Sequence, residues 1–199
     1  ATLERLRQLD DHPEGERPYL IVSLGDSSVQ GMGASRVTES YPARLASAIT
    51  QQMDREVLLL NLSLSGATIE SVELTQLPQM RGLGLLDGPY RPDLVTLTIG
   101  GNDVMAEDMA PGQFEERLRR ILAALPSGAL VSTIPSFGIM PQESRAQDMS
   151  DRIRAAVEDS DAHLVDLRSL TQEYSLPTYT FAYHAADFFH PNSAAYAKW

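Results

Sequence analysis

The chain has 199 residues, 43% of them hydrophobic, and contains no cysteine. This length suits a single domain with a substantial core over residues 1–199, and the missing cysteine excludes disulfides, thiolate metal sites and a cysteine nucleophile. The formal net charge of −11 disfavours nucleic acid and anionic membranes as partners.

The sequence carries no signal for membrane insertion. No apolar run approaches the ~20 residues that span a bilayer, so no stable membrane anchor is expected. The chain begins at Ala1 and shows no recognisable signal peptide, which leaves the removal of a leader open. The compartment is undetermined, with the cytoplasm slightly favoured, and the oligomeric state is not indicated.

Short apolar runs alternate with helical segments along the chain. The stretch TLERLRQL predicts a helical arm within residues 1–17. The pattern then predicts, in order, a strand at 19–24, a helix at 41–53 with Ser40 as N-cap and Pro42 in its first turn, a strand at 56–63, and a helix at 68–77 with Thr68 as cap. It continues with a strand at 94–100, a helix at 112–125, a strand at 129–134, a helix at 145–159, a strand at 162–167 and the opening of a last helix at 192–199.

The predicted strands are unbroken apolar runs separated by helices, which is typical of a parallel α/β sheet covered on both faces. Ligands bind such sheets at the carboxyl ends of the strands. The segments that follow the first four strands, together with one near the chain end, are rich in small and polar residues: GDSSVQG, LSGAT, GGNDVMAED, PSFGIMP and DFFHP. The sequence therefore predicts a functional site at this edge of the sheet.

Three residues in these segments have the chemistry of a nucleophilic site. Ser27 is the candidate nucleophile, and a hydroxyl needs an adjacent base at neutral pH. His190 is the candidate base. Asp187 lies three residues before it, so its carboxylate can turn back onto one ring nitrogen and leave the other for the serine.

An oxyanion formed on attack by Ser27 needs hydrogen-bond donors. The backbone N–H of Ser27 is one candidate, since the serine lies in a turn that opens a helix. Gly66 can bring its N–H close because it has no side chain, and Asn102 can add a side-chain amide.

Four of these segments together resemble a known family. GDSS, Gly66 in LSGAT, GGND and DFFHP match, in order, the four marker blocks of the SGNH hydrolases, also called GDSL esterases/lipases. The resemblance implies a three-layer α/β/α, flavodoxin-like fold with about five parallel strands, and ester hydrolysis through an acyl-enzyme without metal or organic cofactor. It assigns Ser27 as nucleophile, His190 as base, Asp187 as its orienter, and Ser27, Gly66 and Asn102 as the oxyanion hole.

The chain departs from the family pattern at two places. Ser28 follows the candidate nucleophile where the family often has an apolar residue, and the last helix is cut short at Trp199. The chain has no Gly-x-Ser-x-Gly segment, which argues against the α/β-hydrolases. The shared blocks do not choose among short acyl esters, lysophospholipids, thioesters and acetylated sugars.

Structural roles are expected for several neighbouring residues. Asp26 is interpreted as bonding amides of its turn, and Asp103 as bracing the loop that presents Asn102. His12 and His163 are interpreted as structural or solvated. PSFGIMP is either a loop lining the substrate site or a plain connection. Most of the C-terminal aromatic residues are expected to anchor this segment, with one or two lining an acyl pocket: Tyr174, Tyr179, Phe181, Tyr183, Phe188, Phe189, Tyr196 and Trp199.

Two other functions stay open. His184, Asp187 and His190 could suggest a metal-dependent phosphoesterase, although no further cluster completes a zinc ligand set. A flavodoxin-like binding module without catalysis is the second alternative.

Overall fold

The computed structural model describes residues 2–7, 9, 17–106, 108–175, 177–178 and 182–199. Over these residues the chain forms one five-stranded sheet, and every neighbouring pair of strands is parallel. Its strands are β1 Tyr19–Gly25, β2 Val57–Asn61, β3 Leu94–Thr98, β4 Leu130–Ser132 and β5 His163–Val165. Each lies within or next to one of the five predicted apolar runs.

Helices connect and flank the strands. In chain order they are α1 Thr2–Arg7, α2 Ser27–Gln30, a 3₁₀ turn Val37–Glu39, α3 Tyr41–Met53, α4 Ile69–Ser71, a π-helical turn Val72–Gln76, α5 Leu77–Gly82, α6 Gly101–Met105, α7 Pro111–Ala124, α8 Glu143–Glu158, α9 Leu167–Gln172 and α10 Ser193–Tyr196. The predicted N-terminal arm is helical over α1, and residues 8 and 10–16 lie outside the described part of the chain. Among the described residues, no helix is both long and apolar enough to cross a membrane.

The strand order is β2-β1-β3-β4-β5. This is the flavodoxin-like order. The chain adds β2 on one side of β1 and then crosses to add β3, β4 and β5 on the other side, so the order of the strands reverses between β1 and β3. The helix α3 packs against β2, whereas α7 and α8 pack against each other. The expected α/β/α fold with five parallel strands is confirmed.

The core follows from the apolar spacing of strands and helices. On α7, Phe114, Leu118, Ile121 and Leu122 are buried, the face that their helical period predicts. On β1, six of the seven residues are buried, because β1 lies inside the sheet with helices over both faces.

Two local predictions need correction. Ser40 lies at the N-cap of α3, but its side chain makes no capping bond and its hydroxyl donates instead to the Val37 carbonyl in the preceding 3₁₀ turn. The single helix predicted at 68–77 is interrupted by the π-helical turn Val72–Gln76. That turn points Gln76 into the sheet, where it is fully buried and bonds both the N–H (2.9 Å) and the carbonyl (2.8 Å) of Gly25 at the end of β1.

Candidate active site

Ser27 lies at the point where β1 ends and α2 begins. Asp26 occupies the N-cap of α2, and its Oδ1 accepts hydrogen bonds from the Ser28 N–H (2.9 Å) and the Ser28 hydroxyl (2.7 Å). Burial raises the pKa of Asp26, while the bonds from Ser28 act in the opposite direction. The carboxylate therefore has the structural part in the turn that the sequence predicts, and the turn holds Ser27 in place.

The structure brings Ser27, His190 and Asp187 into one hydrogen-bonded chain. His190 Nε2 lies 2.9 Å from Ser27 Oγ, and His190 Nδ1 lies 2.7 Å from Asp187 Oδ2. Ser27 is 163 residues away from His190 in sequence, so only the fold creates this contact. A hydroxyl, an imidazole and a carboxylate in this order have the geometry that proton transfer in a serine triad requires.

The second oxygen of Asp187, Oδ1, is held by two backbone hydrogen bonds. Asp187 Oδ1 accepts from the backbone N–H groups of Phe189 and His190, both at 3.0 Å. The bond from the His190 ring, followed by these two backbone bonds, lowers the pKa of Asp187 to about 2. The carboxylate therefore stays ionised at every pH at which the enzyme would work.

Backbone hydrogen bonds within residues 185–190 hold the loop before His190 in shape. The Ala185 N–H donates to the His190 carbonyl (2.8 Å), and the Phe188 N–H donates to the Ala185 carbonyl (3.0 Å). Phe188 has φ of +56°, a left-handed conformation that is uncommon for a bulky residue. This turn lets the Asp187 carboxylate face back toward the histidine three residues later.

Asn192 anchors this loop, and the sequence reasoning did not single it out. It caps α10 with its side-chain oxygen, which accepts from the N–H groups of Ala194 and Ala195. Its amide donates to the carbonyls of Ala182 (2.8 Å) and His184 (3.0 Å). An Asn before a short helical pattern is a recognisable N-cap signal, and here the cap also positions the base.

A second contact joins the His190 loop to the turn after Ser27. Gly33 has φ of +87°, and a Cβ there would lie 2.4 Å from the Pro191 carbonyl oxygen and 3.1 Å from His190 Cβ. The Tyr196 hydroxyl donates to the Met32 carbonyl at 2.7 Å. Glycine at position 33 is therefore needed for the close approach that sets the serine–histidine distance.

The predicted oxyanion donors Gly66 and Asn102 follow β2 and β3, the two strands that flank β1 in the sheet. Gly66 has φ of +75°, and a Cβ there would meet no protein atom within 4 Å. The backbone conformation, and not crowding, is therefore what favours glycine here. Asn102 Nδ2 donates one hydrogen to the Ala67 carbonyl (2.8 Å), which leaves its second N–H for a ligand.

Asp103 bonds a second loop besides the one expected. Both of its carboxylate oxygens accept from the Ile69 N–H, at 3.0 and 3.1 Å, and the carboxylate also accepts from its own backbone N–H, so it joins the loop that carries Gly66 to the segment that presents Asn102. Asn102 and Asp103 thus hold residues 66–69 between them. Burial raises the pKa of Asp103 to about 6.

The raised pKa of Asp103 predicts a pH-dependent stability. The folded protein binds this proton more tightly than the unfolded chain, so stability is greatest below the ordinary value near 3.8 and falls as pH rises through about 6. The loss in unfolding free energy is about 3 kcal/mol at most.

The variant Asp103→Asn tests this prediction, because it keeps an acceptor for the Ile69 N–H and cannot titrate. The difference in unfolding free energy between the variant and the wild type should therefore grow in the variant's favour between pH 4 and 7. Urea unfolding measures it, and a difference independent of pH would contradict the assignment.

A pocket of about 280 Å³ opens beside Ser27, and Asn102 and His190 also line it. Gly66 and Asp187 are not among its lining residues. Most of the lining is apolar or aromatic and includes Phe137, Ile139, Met140, Tyr174, Tyr183, Phe188, Phe189 and Trp199. PSFGIMP therefore lines the pocket, as one of its two interpretations predicts. Of the C-terminal aromatics, Tyr179 and Phe181 lie outside the described residues.

Two of the remaining three histidines are described. The backbone of His184 pairs with Pro191, and the residue lines the pocket. His163 begins β5, and His12 lies outside the described residues. Within the described residues, no group of three His, Asp or Glu side chains is arranged to hold a metal ion.

Comparison with known proteins identifies the family of the chain. The model of the "GDSL-like Lipase/Acylhydrolase family" matches residues 23–198. A mutant of Axe2, an acetyl-xylooligosaccharide esterase from Geobacillus stearothermophilus, superposes with a TM-score of 0.71 at 18% identity, over 90% of each chain. TesA gives 0.68 at 21% identity over 90% of this chain and 92% of its own. LAE5, an alpha/beta hydrolase enzyme from the metagenome of Lake Arreo in Spain, gives 0.68 at 23% over 90% of each chain. The TM-scores show a shared fold, and at identities below 25% they show the fold alone. A search of curated proteins found no match.

Proposed function

This chain belongs to the GDSL-like lipase/acylhydrolase family and is a hydrolase, and from that premise we propose that it is a serine esterase that cleaves carboxylic esters through an acyl-enzyme. The observation that carries the proposal is the contact chain from Ser27 Oγ to His190 Nε2 (2.9 Å) and from His190 Nδ1 to Asp187 Oδ2 (2.7 Å). A serine in ordinary turn geometry has no need of either contact.

The proposed reaction assigns each group one role. His190 Nε2 takes the Ser27 proton as Oγ attacks the ester carbonyl, and Asp187 stabilises the imidazolium through Nδ1–H. The N–H groups of Ser27 and Gly66 and the free amide hydrogen of Asn102 stabilise the oxyanion. His190 then protonates the departing alcohol, and a water molecule activated by the same base hydrolyses the acyl-enzyme and releases Ser27.

The proposal treats residues 1–199 as one domain with a small-molecule ester as substrate. His190 is the donor or the acceptor in each proton transfer, with Ser27, the departing alcohol or water as its partner, so the proposed mechanism calls for neither a metal nor an organic cofactor. Short acyl esters, lysophospholipids, thioesters and acetylated sugars all present the carbonyl that this chemistry attacks. The choice among them depends on the pocket beside Ser27.

Covalent labelling tests the nucleophile directly. A p-nitrophenyl phosphonate ester should add one phosphonyl group per chain, because the activated hydroxyl displaces p-nitrophenolate from phosphorus as it would attack a carbonyl. Intact-mass spectrometry should show a single adduct, and peptide mapping should place it on Ser27.

Ser28 provides the matched control for this experiment. Ser28→Ala should still be labelled, and Ser27→Ala should not. Labelling of Ser27→Ala at the wild-type rate, or an adduct on Ser28, would overturn the assignment. A phosphoesterase that needs a metal would be inactivated by a chelator and indifferent to the phosphonate.

A further inference from the structure

One wall of the pocket beside Ser27 is formed by the loop that follows β4. We call residues 135–140 the β4 loop; five of the six line the pocket: Pro135, Ser136, Phe137, Ile139 and Met140. Phe137 is only 9% exposed and lies at the inner end, whereas Ile139 is 82% exposed and lies at the mouth. The loop therefore offers apolar side chains both in the interior of the pocket and at its solvent-exposed end.

The β4 loop is held from behind by two helices. Glu143, in the first turn of α8, accepts from the Phe137 N–H (2.6 Å) and the Ser136 hydroxyl (3.2 Å). Thr171 of α9 accepts from the Ser136 N–H at 2.8 Å. These bonds satisfy backbone donors that would otherwise face the protein interior, so the wall keeps its shape without a ligand.

A buried arginine fixes Glu143 in turn. Arg168 is fully buried; its Nη2 donates to Glu143 Oε1 and its Nε donates to Gln147 Oε1 at 2.7 Å. Burial of a charged pair is costly, so such a pair stabilises a protein little more than apolar residues of similar size would. Removal of only one partner, however, is strongly destabilising, because it leaves an unpaired buried charge. An arginine at this position is therefore better explained by what it holds than by the stability it adds.

The chemistry of the pocket indicates which part of a substrate it contacts. No lysine or arginine occurs among the described lining residues, and His184 and His190 are the basic side chains there, so those residues offer no permanently charged cation to a phosphate or carboxylate group. A sugar in the pocket would leave its hydroxyls facing Phe137, Ile139 and Met140, and unpaired polar groups are costly to bury. A single hydrocarbon chain suits both the apolar lining and the volume of about 280 Å³, near the lower end for ligand pockets.

We propose, on the basis of the esterase function above, that the β4 loop is the acyl-selectivity wall of this enzyme, that it binds unbranched apolar acyl chains longer than acetyl, and that Glu143 and Arg168 are its positioning residues. The fatty acyl group lies along Phe137, Ile139 and Met140, while its carbonyl lies at Ser27. The leaving alcohol or thiol occupies the more open side of Ser27 and contributes less to selection.

The wild-type test is a chain-length series of p-nitrophenyl acetate, butyrate and octanoate. Each methylene group that the wall removes from water should raise kcat/KM about fourfold, so three such groups alone give about a 60-fold preference for octanoate over acetate. A preference for acetate, or equal rates along the series, would overturn the proposal.

A matched pair of charge substitutions locates the effect. Ile139→Asp places a charge at the mouth of the wall and should lower the octanoate-to-acetate ratio of kcat/KM about tenfold, chiefly through KM. Val37→Asp adds the same charge at a position that is 80% exposed and does not line the pocket, and it should leave the ratio unchanged. Equal ratios in Ile139→Asp and the wild type would contradict the assignment.

Substitution of Glu143 tests the positioning role. Glu143→Ala should lower the octanoate-to-acetate ratio, and Glu143→Gln, which keeps an acceptor for the Phe137 N–H, should restore part of it. If Glu143→Ala does not fold, the octanoate-to-acetate ratios of kcat/KM in Glu143→Gln and Ile139→Asp test the proposal instead. The two proposals fail separately: ester activity that persists in Ser27→Ala contradicts the esterase mechanism, whereas serine-dependent activity without a chain-length preference contradicts only the selectivity wall.

Discussion

Replacement of Ser27 with alanine should reduce kcat for ester hydrolysis by about four orders of magnitude or more while leaving the fold intact. Removal of a serine nucleophile from an assembled triad leaves only the contributions of the oxyanion hole and of binding, and losses of about 10⁴–10⁶ are typical. The serine is buried, but its side chain is small and its Oγ contacts His190, so alanine leaves no large cavity. Hydrolysis of p-nitrophenyl butyrate measures the loss, and the circular dichroism spectrum checks the fold.

His190→Ala is the companion variant, because base and nucleophile act as one unit. Its loss should be of the same order, and the double variant should lose little more, since groups that act together are not additive. Ser28→Ala should keep most of the activity. Retention of most ester turnover in Ser27→Ala would exclude the acyl-enzyme, and loss of that turnover to a chelator would favour the metal-dependent alternative.

Gly25→Ala should cost about 3 kcal/mol or more of unfolding free energy, the largest effect we expect on stability. Gly25 ends β1 with φ of +142°, a conformation that side chains rarely adopt, and an added Cβ would lie 2.0 Å from the Thr98 carbonyl oxygen of β3. Both the dihedral strain and the overlap with a neighbouring backbone carry costs of 1–3 kcal/mol. Because Ser27 follows two residues later, the shift needed to relieve the overlap should also reduce ester activity.

Gly82→Ala is the matched control for the glycine experiment. Gly82 ends α5 without a positive φ, and a Cβ there would meet no atom within 4 Å. Alanine should be neutral or stabilise the protein by up to about 1 kcal/mol, because it restricts the unfolded chain and favours helix. Chemical denaturation of both variants measures the contrast, and equal losses in the two would show that the environment of Gly25 is not special.

Much of the fold could be predicted from local patterns. The five apolar runs became five parallel strands, and the signal is strongest for β1 and β3, which are buried inside the sheet and need apolar residues at successive positions. The boundaries of α3, α7 and α8 lie within a few residues of the predictions. The sequence pattern did not predict the π-helical turn at Val72–Gln76, because the helical spacing of apolar residues continues through it. The role of this turn becomes visible only from the hydrogen bond between Gln76 and Gly25.

The candidate site shows where local reasoning ends. Ser27, Asp187 and His190 could be named from their residue types and from the block order, and Asp187 lies near His190 in sequence. Gly33 and the pair Glu143–Arg168 could not be assigned roles, and Asn192 was recognisable only as a helix cap. Their importance comes from atoms that approach them from distant segments, as when Pro191 packs on Gly33. Asp103 was expected to brace its own loop, and only the structure shows that it also bonds Ile69, 34 residues earlier.

The sequence by itself determined the α/β class, the single-domain expectation and the chemistry of the candidate site, because apolar periodicity and reactive residue types are properties of short segments. Only the tertiary structure decided the strand order, the 2.9 Å contact between Ser27 and His190, and the apolar wall beside them. Those features depend on which segments pack together. Packing is decided by the free energy of the whole core, and no single segment carries that information.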